Sequence, residues 1–190
     1  MIALNLSPAL PLTDEAFGQL CRSNPDLRLE RTAQGKLVAM APTGGETGLF
    51  NTELLGQLWL WNRQTRLGFV FDSSTGFRLP NGAIRTPDLA WVEKTRWQRL
   101  SVDQRRRFVP LCPDFVVELK SPSDDLPMLQ AKLQEYQDNG AQLGWLIVPE
   151  TRQVFSYQPG RPVTVLEAPV VLSGSPLLPN FVMDCTGLWS

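Results

Sequence analysis

Glu118 and Lys120 stand two residues apart in Pro113-Asp114-Phe115-Val116-Val117-Glu118-Leu119-Lys120, an apolar, β-branched run of strand character. Side chains alternate along a strand, so these two charges point to one face while Phe115, Val117 and Leu119 point to the other. Charge on such a strand is costly unless it is paired, binds a metal or does chemistry. A second apolar run, Leu89-Ala90-Trp91-Val92, is entered through Thr86-Pro87-Asp88, which sets another carboxylate at its mouth. Neighbouring strands lie about 4.8 Å apart, so acids on two of them can share one cation. Two carboxylates and a lysine in this arrangement are what metal-dependent cleavage of a phosphodiester requires. The blander alternatives are an ion pair on an edge strand for Glu118 and Lys120, and a strand-entry aspartate for Asp88. Asp114 reads as a solvent-facing entry residue.

The chain as a whole narrows the chemistry. It has 190 residues, 43% of them hydrophobic, enough for one globular domain spanning 1–190 with a substantial core. Histidine is absent. That excludes Ser-His and Cys-His catalysis, histidine zinc sites and histidine general bases. Carboxylates, lysine and water remain, and oxygen ligands favour a hard cation, Mg²⁺ or Mn²⁺. With 18 basic and 19 acidic residues the chain is no general coat for nucleic acid, although a local basic cleft is compatible with that balance. Cys21, Cys112 and Cys185 are widely spaced and form no C-x-x-C, so a reducing cytoplasm is expected rather than a disulfide framework. Met1 to Ser7 lack a basic leader, and no apolar run is long enough to span a membrane.

The elements that must position the charges follow from periodicity and punctuation. Thr13-Asp14-Glu15 predicts a helix start, with Phe17, Leu20 and Cys21 at helical spacing and a stop by Asn24-Pro25. Leu27 to Arg31 and Lys36 to Ala41 read as a hairpin turning at Ala33-Gln34-Gly35. A helix is expected from about Thr47 to Thr65, with Leu54, Leu58 and Trp61 down one face. Short strands follow at 69–71 and 76–79, and Pro80-Asn81-Gly82 turns into the Asp88 strand. Residues 93–107 read as one or two exposed short helices, whose Arg105-Arg106-Arg107 is a solvated basic run. Ser123-Asp124-Asp125 caps a helix carrying Leu126, Leu129, Leu133 and Tyr136, which brings Lys132, Gln134 and Tyr136 near the Glu118 strand. Tyr136 and the six tryptophans are expected in packing roles. Strands at 144–148, 153–157 and 163–166 complete a mixed α/β fold with one central sheet.

Several of these stretches together resemble a known family. They are Leu29-Glu30, Gly35 to Met40, Pro42-Thr43-Gly44, Thr86 to Val92, Pro113 to Asp124, Lys132 to Tyr136 and Gly144 to Val148. In order and spacing, over roughly residues 13–185, the chain resembles the Uma-two family of restriction-type endonucleases, placed in the PD-(D/E)XK nuclease superfamily. The resemblance implies a restriction-endonuclease-like α/β core, a central mixed sheet flanked by helices. It implies a metal-dependent DNA endonuclease, with Asp88 as the superfamily aspartate, Glu118 and Lys120 as its acid-x-lysine pair, and Glu30 as the acid near the N-terminal hairpin. Where many relatives open the next helix with histidine, this chain has Glu46-Thr47-Gly48, so Glu46 stays an alternative to Glu30.

The expected mechanism places Mg²⁺ or Mn²⁺ on Asp88 and Glu118, with the Leu119 carbonyl as a third ligand and Lys120 positioning the attacking water. DNA is the implied partner, and a symmetric homodimer suits cleavage of both strands. The competing reading is a catalytically quiet binding or dimerisation module on the same fold. Glu30 has its own alternative, as a cross-strand partner of Arg28 or Lys36.

Overall fold

A computed structural model describes residues 2–4 and 12–189. Most of the N-terminal stretch expected to carry no leader lies outside the described residues. The first strand, β1 (Ile2–Leu4), is followed by α1 (Asp14–Ser23), whose Thr13 cap accepts the Ala16 N–H at 3.2 Å. Next come β2 (Arg28–Arg31) and β3 (Leu37–Met40), the expected hairpin, with Gly35 at φ 77° in its turn. Helix α2 (Gly45–Thr65) starts slightly earlier than the sequence predicts and buries Phe50, Leu54, Leu58 and Trp61 on one face.

The strands β4 (Gly68–Asp72), β5 (Phe77–Arg78), β6 (Ile84–Arg85) and β7 (Leu89–Glu93) follow, then the short helices α3 (Lys94–Gln98) and α4 (Val102–Arg105). Strand β8 (Phe115–Leu119), helix α5 (Leu126–Asp138) and strand β9 (Leu143–Val148) form a parallel crossover. Then come β10 (Gln153–Tyr157), β11 (Thr164–Glu167), β12 (Val171–Ser173) and β13 (Val182–Asp184), followed by a 3-10 turn at Thr186–Trp189.

The expected central mixed sheet is present, six strands in the order β11-β10-β9-β8-β7-β4. Strand β8 lies inside it, buried at every position, so Glu118 is not on an edge. One face, with Leu89, Trp91, Phe115, Val117 and Trp145, packs against α2, while Ala90, Val92, Val116 and Leu146 meet α5 through Leu129, Leu133 and Tyr136. Burying each large apolar side chain contributes roughly 1.5–3 kcal/mol, which makes these two layers the frame of the site.

Two expectations need correction. The Pro80-Asn81-Gly82 turn is expected to lead into the Asp88 strand. Instead Ile84-Arg85 belongs to a second, antiparallel sheet, β1-β3-β2-β6-β5. Pro87 lacks an N–H and cannot continue a ladder, so Thr86-Pro87-Asp88 is the crossing from one sheet to the other. Asp114 is buried rather than solvent-facing, accepting the Glu93 N–H at 2.8 Å and Arg96 Nη1 at 2.6 Å. Its carboxylate takes an otherwise unpaired backbone donor at the end of β7.

The outer margin of the central sheet is closed by a side chain. Leu67 O accepts the Lys94 N–H, so Gly68, the next residue, turns its own N–H and C=O away from β7. Asn62 of α2 accepts that N–H at 3.1 Å, donates to that carbonyl at 3.0 Å, and accepts Trp91 Nε1 at 2.8 Å. A Cβ on Gly68 would sit 2.3 Å from Val92 O, so only glycine fits this approach.

Candidate active site

The site forms where the two sheets meet. Strands β7 and β8 pair with Leu89 opposite Val117, and one step further Asp88 stands opposite Glu118. The acid expected from the N-terminal hairpin, Glu30, comes from β2 in the other sheet. Its neighbour Arg28, two residues back, shares its face. Glu46 lies exposed in the first turn of α2, so of the two alternatives Glu30 is the acid brought to Glu118.

Lys132 links them. Its Nζ lies 2.8 Å from Glu30 Oε1 and 2.8 Å from Glu118 Oε1, and all three side chains are almost wholly buried. Glu30 pairs with neither Arg28 nor Lys36. Its Oε1 also accepts the Thr86 N–H at 2.8 Å and hydroxyl at 3.0 Å, and its Oε2 takes Arg85 Nη1 at 3.1 Å. Arg85 in turn holds Glu135 of α5 at 2.5 Å. Tyr136 is buried as expected, but its hydroxyl also donates to Glu118 Oε1 at 3.1 Å.

Lys120 points elsewhere. Its backbone N–H continues the β8–β9 ladder to Ile147 O, while its ammonium binds Glu150 at 2.7 Å and donates to Ser121 O at 3.1 Å. The lysine nearest the acids is Lys132, one turn of α5 before Tyr136. The signal was present in the sequence: Leu129, Lys132, Leu133 and Tyr136 recur at helical core spacing, and a lysine in such a stripe must find a buried partner. Arg85 escapes sequence reasoning, and Arg28 enters it only as a partner for Glu30, because the significance of both depends on the second sheet.

The carboxylates differ in charge state. Burial pushes Glu30 up, but Lys132 and Arg85 outweigh it and hold the group at about 2. Burial pushes Glu118 up to about 8; Lys132 opposes this, while the nearby Asp88 and Glu30 charges add to it. Asp88 is also raised by burial, with the Leu119 N–H, Lys132 and Arg28 pulling the other way and Asp124 adding repulsion. Lys132 is raised because Glu118 and Glu30 overcome the burial that would lower it.

This pattern fits a hard cation. Asp88 and Glu118 face each other across the strand pair; burial disfavours the charged form of both, and the Asp88 charge adds to the cost of ionising Glu118. Asp88 Oδ2 accepts the Leu119 N–H at 2.9 Å, and Oδ1 lies 3.7 Å from Arg28. Glu118 Oε1 carries the bonds from Lys132 and Tyr136. Leu119 turns its N–H toward Asp88, and its carbonyl shares that strand edge. Two carboxylates, a carbonyl and waters are an ordinary Mg²⁺ complement. Among the described residues, no three acids or cysteines enclose a metal by themselves.

The basic run Arg105-Arg106-Arg107 lies beyond α3, which begins at the C-terminal end of β7, whereas Asp88 precedes its N-terminal end. Arg107 pairs with Asp103, and Arg105 stacks over Trp97. No helix among the described residues is long and apolar enough to cross a membrane.

A family model, Uma2, described as "Putative restriction endonuclease", matches residues 14–186. The fold is similar to a crystal structure described as "a putative nuclease belonging to DUF820 from Anabaena variabilis". That similarity has a TM-score of 0.78 at 19% identity and covers 94% of this chain and 98% of the other. No curated protein matches the sequence significantly.

Proposed function

The chain belongs to the Uma2 family of restriction-endonuclease-like proteins, and from that premise we propose that it is a metal-dependent endonuclease cleaving DNA phosphodiesters. The observation that carries this reading is Asp88 opposite Glu118 at the sheet junction, with Lys132 against Glu118. Asp88 and Glu118, with the Leu119 carbonyl, are the groups that would hold Mg²⁺ or Mn²⁺. When bound, such a cation supplies Lewis-acid polarisation of a phosphate oxygen and lowers the pKa of a water.

The chain's own groups do the positioning. Glu30, fixed by Arg85 and Thr86, keeps Lys132 charged and in place. Lys132 then orients the attacking water and offsets negative charge growing on the phosphate. Lys120, the lysine expected from the Glu-x-Lys pair, stands at the rim with Glu150 and contacts a phosphate there when that ion pair opens. We take the domain as residues 1–190, working in the cytoplasm as a homodimer that addresses both strands.

A quiet binding module is the second reading. It draws on Lys132 satisfying both Glu30 and Glu118, a set that is electrostatically closed without metal. The experiment is calorimetric titration of Mn²⁺ and Mg²⁺ into wild type and Asp88→Ala, with supercoiled-plasmid nicking on the same samples. Binding and nicking that both vanish in the mutant support the nuclease. Metal binding without nicking leaves the site and removes the DNA substrate. A wild type that binds neither metal supports the quiet module.

A further inference from the structure

Arg28 is the cation at the open side of the site. Its side chain is 33% exposed and lies 3.7 Å from Asp88 Oδ1, too far for a hydrogen bond. Among the described residues its guanidinium makes one hydrogen bond, Nη2 to Ser73 O at 3.1 Å, and its buried Nε has no partner. A guanidinium carries five donors in a planar fork matched to carboxylate or phosphate. Lys132, by contrast, is committed to two acids, and Lys120 to Glu150 and Ser121 O. Of these cations and Arg85, Arg28 has the most exposed side chain, 33% against 5–11%, and makes the fewest hydrogen bonds.

The electrostatics give the donors a target. A divalent cation on Asp88 would replace the attraction between Asp88 and Arg28 with repulsion at short range. An anion lying against both cations removes that repulsion and supplies the acceptors that the fork lacks. Asp88 and Glu118 cannot serve as that anion once they hold the cation.

We propose, resting on the nuclease reading above, that Arg28 binds an internal phosphodiester of the DNA substrate and holds it on the Asp88 side of the site. Arg28 contacts the substrate itself, and its fork favours bidentate contact that a lysine cannot reproduce.

The test is fluorescence anisotropy of a labelled DNA duplex, with and without a 5′-phosphate, in Ca²⁺ across a salt series. Wild type, Arg28→Lys and Arg28→Gln are compared, with Mn²⁺ calorimetry and thermal denaturation on each. The expected result is at least tenfold weaker binding by Arg28→Gln, and a slope of log K against log[salt] smaller by about 1. Arg28→Lys keeps the slope but binds less tightly. Mn²⁺ affinity is unchanged in Arg28→Lys and unchanged or higher in Arg28→Gln, where a competing cation has been removed. An unchanged salt slope in Arg28→Gln overturns the inference, as does loss of Mn²⁺ binding in Arg28→Gln, which would make Arg28 a structural support for Asp88. An Arg28 effect seen only with the 5′-phosphate assigns the residue to a terminal phosphate and also overturns it. A wild type that binds no DNA instead overturns the nuclease reading beneath it.

Discussion

Lys132 and Glu30 form a buried ion pair at 2.8 Å between helix α5 and strand β2, elements from opposite sides of the sheet junction. Removing one member of such a pair strands the other in a low-dielectric interior, at about 3–5 kcal/mol. Lys132→Met should therefore lower stability by that amount in urea denaturation. The double variant Lys132→Met with Glu30→Gln should lose less than the sum of the singles, because neither charge is left stranded. Additive losses would mean that the pair contributes no coupling.

The pH dependence has a definite sign. Glu118 titrates at about 8 in the folded protein, well above an ordinary glutamate, and Asp88 is shifted the same way. Between the unfolded values near 4 and that folded value, the native state binds more protons than the unfolded one. Stability should fall as pH rises from about 5 to 8. Glu30, held at about 2, acts oppositely, and its contribution is lost only as pH drops from about 4.5 toward 2. Urea midpoints at pH 5.5 and 8 check this, and Glu118→Gln should flatten the slope. Equal midpoints for wild type would contradict the assignment.

Cation binding requires the carboxylate form of Glu118, so Mn²⁺ affinity should rise as pH increases toward 8, with protons released on binding. Calorimetry in buffers of different ionisation enthalpy counts those protons. Asp88→Asn should abolish the binding and leave stability within about 1 kcal/mol of wild type, since it removes a carboxylate whose ionisation burial already disfavours.

The two lysines should separate cleanly. Lys120→Ala loses an ion pair with a partly exposed glutamate, worth no more than about 1 kcal/mol. It should raise the KM for nicking more than it lowers kcat. Lys132→Arg, which keeps the charge but not the geometry, should lower kcat by tenfold or more with Mn²⁺ affinity retained. The reverse pattern would return the water-positioning role to Lys120.

Much of this arrangement is legible in the sequence. The strands around Asp88 and Glu118, the N-terminal hairpin and the two long helices follow from alternation, caps and turn residues. The partners of the acids do not. Periodicity says that Glu118 and Lys120 share a face, but not that Glu150, at the end of the next strand, captures Lys120. Glu30 reads as a hairpin residue until Pro87 is seen to carry the chain from one sheet to the other. Arg85 and Arg28 matter only because of that crossing, and no local pattern encodes it.

The Asn62 amide has a consequence for assembly. By meeting both outward groups of Gly68 it acts as a one-residue imitation of a seventh strand. Whatever pairs two copies of this chain, a ladder running the length of β4 is closed to it. Growth of the central sheet from molecule to molecule, the usual hazard of an open strand edge, meets a built-in stop at the position where β4 begins.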